Sequence, residues 1–302
     1  MIAPTVFDVF VALPAVFREA VQCLEDCLAD GLPLLQQSYD RYQADLDVQT
    51  RYQVQVLLAD SLLDAGQFTE AFEWLAYLKQ TAFLSGQYGQ LSLARLAIWR
   101  GDWDQALDLV HQMPYEAFEG RSLDRETLCY SLVLADLHLR QRRPDEALPV
   151  LDFVYDAAAV MADWGLLVRV GVLRARLRTD PLAVSFSLEA AYQGAEEAAA
   201  LAAECGLLTV RIEALALAVR IAFGRQQFEQ ADRLSDQLIS LLAGHTALRW
   251  LRMEEVYWAL ALAKRGRPAA AKWAERARQV RDRRAAALGM ATGARLVGYP
   301  PY

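Results

Sequence analysis

The sequence predicts an all-α solenoid of antiparallel helix pairs, and three observations lead there. A helix, a tight turn and a second helix opening with a small residue recur between Tyr52 and Val280. Gly101, at the turn of the second clear copy, follows Gly66, at the turn of the first, by 35 residues, a spacing typical of helical repeats. The composition is 55% hydrophobic, with sparse glycine and with Ala and Leu outnumbering the β-branched residues, a mixture that favours helix over sheet. At 302 residues the chain is long for one globular core. Stacked repeats escape that limit because each unit contacts only its neighbours.

Residues 1–48 read as capping helices, one near Ala15–Ala29 closed by Gly31 and Pro33, another near Leu34–Asp45. A solenoid must cover its terminal apolar face, so an atypical first unit is expected. The repeats then occupy 52–283. Unit one turns at Ala65-Gly66-Gln67 and unit two at Arg100-Gly101-Asp102. Unit three turns at Arg142-Arg143-Pro144, where proline fits because the first turn of a helix has no partner for the missing N–H. Unit four turns at Thr179-Asp180-Pro181, and its second helix is expected to be unusually long, Leu182–Glu204. Unit five carries Gln227-Phe228-Glu229-Gln230-Ala231 and unit six turns at Gly266-Arg267-Pro268. Beyond, residues 288–302 thin into glycine and Tyr299-Pro300-Pro301-Tyr302, expected to be extended or disordered.

These units resemble the tetratricopeptide repeat. Leu58-Ala59, Leu93-Ala94 and Leu134-Ala135 match the central pair of its first helix. Its Gly-x-aromatic-x-x-Ala turn is matched by Gly66-Gln67-Phe68-Thr69-Glu70-Ala71 and Gly101-Asp102-Trp103-Asp104-Gln105-Ala106, and in part by Phe228 and Ala231. The closing proline of each unit is missing, and Arg142 stands where the pattern has a turn glycine. The resemblance implies a right-handed superhelix of about six helix pairs whose first helices line a concave wall. The small residues have a reason of their own: Ala59, Ala94 and Ala135, and Ala71, Ala106, Ala147 and Ala231, let paired helices approach closely.

Chemistry is sought and mostly not found. Cys23 and Cys27 share a helical face but have no further ligand nearby, and His111, His138 and His245 are scattered, so no metal or other cofactor is expected. Cys129 and Cys205 read as small core residues. No phosphate-binding glycine loop, nucleophile elbow or His-Glu-x-x-His motif occurs. Carboxylate pairs such as Glu254 and Glu255 read as polar-face residues, which argues against an enzyme. No apolar run is long enough to span a membrane and no secretory signal is present, so a reducing cytoplasm is expected. Arginine exceeds lysine among the bases, a bias associated with GC-rich bacterial genomes.

The groove is then the candidate site. By the alignment that the resemblance implies, Asp60 and Asp64 face inward from unit one, and Tyr88, Arg95 and Trp99 from unit two. Asp136 and Arg140 follow from unit three, Arg220 and Phe223 from unit five. This mixed aromatic and charged surface suits a protein or peptide partner. The alternative is that such charges pair with one another between stacked helices. Chaperone-tail binders of the family use groove Lys and Asn residues, but Val56, Asp60, Ser92, Cys129 and Val133 stand at the matching positions, and Asp60 would repel a terminal carboxylate.

Charge is unevenly spread around a net −7. Residues 1–80 hold twelve acids against four bases, giving −8. Residues 264–284 hold nine bases, among them Lys264, Arg276, Arg281 and Arg284, against Glu275 and Asp282, giving +7. The basic end could be a solvated outer face, a contact for an anionic partner, or one half of a head-to-tail homo-oligomer. Nucleic acid is disfavoured, because the chain as a whole is acidic and Trp273 is the one aromatic among those bases.

Overall fold

In a computed structural model of the chain, the described residues are 13–25, 31–65, 67–80, 93–94, 97–98, 102–111, 125–244 and 253–287. Every regular element among them is helical. A short 3-10 turn (Ala15–Phe17) leads into α1 (Arg18–Glu25), α2 (Gly31–Tyr42), α3 (Val48–Ala65), α4 (Phe68–Gln80) and α5 (Trp103–His111). The series continues with α6 (Arg125–Arg140), α7 (Pro144–Val160), α8 (Trp164–Leu177), α9 (Leu188–Glu204), α10 (Leu208–Gly224), α11 (Phe228–Ala243), α12 (Met253–Ala263) and α13 (Pro268–Ala287).

Helices α1 to α4, and again α5 to α13, pack in chain order, and the first helices of successive pairs also touch: α6 meets α8, α8 meets α10, and α10 meets α12. That second row of contacts defines the architecture. The first helices form a tight inner layer, while α7, α9, α11 and α13 form the outer one. The chain is a tetratricopeptide-like α-solenoid. All seven alanines assigned to helix crossings, Ala59, Ala71, Ala94, Ala106, Ala135, Ala147 and Ala231, are completely buried. Gly171 on α8 extends the same logic, since a Cβ there would lie 3.5 Å from the Ala198 Cβ on α9.

The turns explain how Arg142 can stand where the repeat pattern has glycine, and Gln226 takes the same role. Arg142 and Gln226 take the left-handed conformation, φ 59° and 61°, that Gly266 takes at φ 83° in the last pair. These residues close the helix C-terminus where glycine is the usual occupant.

Three expectations are corrected. Gly31 and Pro33 do not close the first helix but begin α2. Proline is tolerated in a first turn, and Gly31 is needed because a Cβ would meet the Leu24 Cγ at 2.8 Å. The second helix of unit four is not unusually long. It starts at Leu188, where the Ser187 hydroxyl accepts from the Ala190 N–H, and Asp180 instead draws the Leu182 N–H into a turn. Cys205 is not a core residue but lies exposed at the C-cap of α9, unlike the buried Cys129. The terminal segment 288–302 lies outside the described residues, as do Cys27 and His245.

Candidate peptide-binding groove

The inner layer carries a row of charged residues set into apolar helices. On α8 they are Arg169 and Arg176; on α10, Glu213 and Arg220; on α12, Glu255. Each same-helix pair is seven residues apart, almost two helical turns, so both members share a face. Arg169, Arg176 and Glu213 are buried.

Arg176 donates to the Glu255 carboxylate at 3.0 Å, a contact from unit four to unit six that passes over α10 of unit five. It is possible because α10 offers the small Ala216 beside Leu217 at the crossing. These residues, with Glu213, Arg220 and Val256, enclose a cavity of about 10 Å³ under the ion pair. Burial raises the cost of charging Glu255, whereas the nearby guanidinium charges of Arg176, Arg220 and Arg140 act to lower its pKa. Glu255 is therefore an anion. It sits deep in the hollow of the solenoid while 34% of its side chain still reaches solvent.

Of the residues assigned to the groove from sequence, Asp136 and Arg140 meet each other at 2.8 Å, both buried, rather than reaching solvent. Their four-residue spacing on α6 makes the internal pair, and the guanidinium lies 5.6 Å from the Trp103 ring centre of unit two. This corrects their assignment as ligand-facing. Arg220 lines the central cavity. Phe223 packs edge-to-face on Phe228 at 5.2 Å and borders a separate, open cleft of about 360 Å³ near Asp232, Arg265 and Arg267. The side chains of Asp60 and Asp64, and all of Tyr88, Arg95 and Trp99, lie outside the described residues.

At the basic end Lys264 is corrected too: it is buried, donating to Asp232 and Asp236. Arg281 is half-buried beside Asp282 at 3.4 Å. Arg276 is exposed and stacks over Trp273 at 4.9 Å, and the Arg284 side chain lies outside the described residues.

Arg169, Arg176, Glu213 and Glu255 were missed by the sequence reading, which placed Glu255 on a polar face. The available signal was charge inside apolar runs, Val168-Arg169-Val170, Ala175-Arg176-Leu177 and Ile212-Glu213-Ala214, at a spacing of seven. Among the described residues no group of His, Cys, Asp or Glu could hold a metal ion, and no helix is long and apolar enough to cross a membrane.

The fold is similar to that of a Rap protein complexed with competence and sporulation factor, with a TM-score of 0.61 and 12% identity over 90% of this chain and 76% of that one. It is also similar to NprR in complex with its cognate peptide NprX, with a TM-score of 0.55 and 14% identity over 91% and 82%. At these identities the likeness is one of fold. No family model matches the chain, and no curated protein matches it.

Proposed function

We propose that this chain is a non-enzymatic binding module of the bacterial cytoplasm that takes a peptide, or a peptide segment of a protein, along the inner wall formed by α6, α8, α10 and α12. The observation that carries this reading is the row of buried and half-buried charges on that wall. Desolvating arginines and carboxylates can cost more than the pairs return through attraction, and well-packed apolar residues often hold such a stack at least as firmly. A recognition surface gives the row a purpose. The reading is supported by the two structures of similar fold, one holding competence and sporulation factor and the other a cognate peptide.

The test is to pan a phage-displayed library of random linear peptides on the full chain and to measure the enriched sequences by calorimetry. Selected peptides should bind the wild type and lose about tenfold or more against Arg220→Glu, since a charge-assisted contact becomes a repulsion. Failure to enrich any sequence, or equal binding by the variant, removes the groove as the site.

Two further readings have their own observations. The tie between Arg176 and Glu255 joins units four and six, which favours a sensor whose superhelical pitch changes when a ligand enters. Exposed Glu19, Asp40, Asp45 and Asp47 at one end and Arg265, Lys272, Arg276 and Arg283 at the other favour head-to-tail self-association. Light scattering distinguishes the latter, because a charge-driven oligomer dissociates as salt rises.

A further inference from the structure

We infer that Glu255 is an internal stand-in for a ligand carboxylate, and that a peptide carboxylate reaches Arg176 only by displacing it. This deepens the peptide-binding reading and rests on it.

The two partners are unequal. Arg176 is buried on α8, its side chain 5% exposed, whereas Glu255 keeps 34% of its side chain exposed. Glu255 is thus the more accessible member of the pair. While the pair is closed, the cavity beneath it has room for about one water molecule. A ligand group cannot enter alongside Glu255; it must take its place. Once Glu255 leaves, Arg176 and Arg220 flank the vacated position, and planar guanidinium forks suit a carboxylate. The site already accommodates one carboxylate, that of Glu255. Because the tie passes over α10, exchanging an internal anion for an external one also uncouples unit six from unit four.

The experiment uses the full chain, its helicity checked by circular dichroism, and synthetic versions of the panned peptides. Each peptide is made as selected, as its C-terminal amide, and with Asp and Glu replaced by Asn and Gln. These arms distinguish a terminal from a side-chain carboxylate. Loss of the carboxylate should weaken binding about tenfold. Glu255→Gln should bind the carboxylate form about tenfold more tightly, and the neutral form unchanged, because the internal competitor has lost its charge. Arg176→Gln should abolish the preference between forms, and Arg220→Gln serves the same purpose should Arg176→Gln not fold. Equal binding of charged and neutral peptides, or no gain in Glu255→Gln, overturns the inference and leaves peptide binding standing. No binding of any peptide by any variant overturns both.

Discussion

Lys264, at the turn between α12 and α13, reaches back to α11 and donates to the Asp236 carboxylate at 2.6 Å and to Asp232 as well. Arg267 adds a second contact to Asp232 at 2.9 Å. The buried ammonium thus fastens unit six to unit five. Stability in a repeat array depends on such nearest-neighbour interfaces.

Lys264→Met should therefore lower stability by about 1–3 kcal/mol, read as a lower urea midpoint. The hydrogen bond from Lys264 holds the Asp232 carboxyl below the usual carboxylate range. Its contribution is complete above the unfolded value of about 3.9 and is lost as pH falls through the lower folded value. The gap between wild type and variant should narrow on acidification. A gap that widens would contradict this account.

His138 titrates in a milder range. It is buried between α6 and α7, with its Nδ1 3.1 Å from a Glu146 carboxylate oxygen. Burial lowers its pKa, Glu146 pulls it back up, and Arg143 and His111 lower it further, so the net shift is downward. The unfolded chain then takes up a proton near the ordinary value of about 6.5 before the folded chain does. Stability is full above that pH and falls below it. A series of melts from pH 8 to 5 should show the decline, and His138→Gln should flatten it.

Arg142 and Gln226 occupy left-handed turn positions without being glycine. The conformation costs an L-residue about 1–2 kcal/mol, partly offset by the greater unfolded-state entropy of glycine. Arg142→Gly and Gln226→Gly should each raise stability by about 0.5–1 kcal/mol, and their effects should add because the turns are far apart. A drop in the melting temperature of either variant would mean that the side chain contributes a contact outweighing the strain.

The repeat was legible because it is written in local terms: small residues at fixed offsets, a turn, and apolar periodicity. Ala59, Ala106 and Ala231 could be assigned to crossings without knowing what lay opposite. The groove was less legible because it depends on reach across units. Nothing local links Arg176 to Glu255, which are 79 residues apart and lie two units from each other. Glu255 read as solvated because it lies in the first turn of α12 beside Glu254, a position where carboxylates commonly serve the helix dipole. Leu182–Ser187 likewise passed for helix because its composition is apolar, while the stop came from the hydroxyl cap of Ser187. Arg140 is the instructive intermediate case. Its inward direction was readable from its position on α6, but not its choice of Asp136 one turn away over a ligand.

That buried pair yields a test separating attraction from desolvation. Asp136 and Arg140 are both withdrawn from water, with side-chain exposures of 0% and 1%. Removing the anion alone, as in Asp136→Ala, leaves the guanidinium in a low-dielectric site and should cost about 3–5 kcal/mol. Removing both charges while keeping volume, as in Asp136→Leu with Arg140→Met, avoids that penalty. It should recover most of the loss, and the unfolding midpoint of the double variant should lie well above that of Asp136→Ala. The Met side chain can still pack on the Trp103 ring that Arg140 now covers. If the double variant is no more stable than the single one, the pair contributes attraction beyond its desolvation cost, and the charges on this wall would then be justified by stability alone.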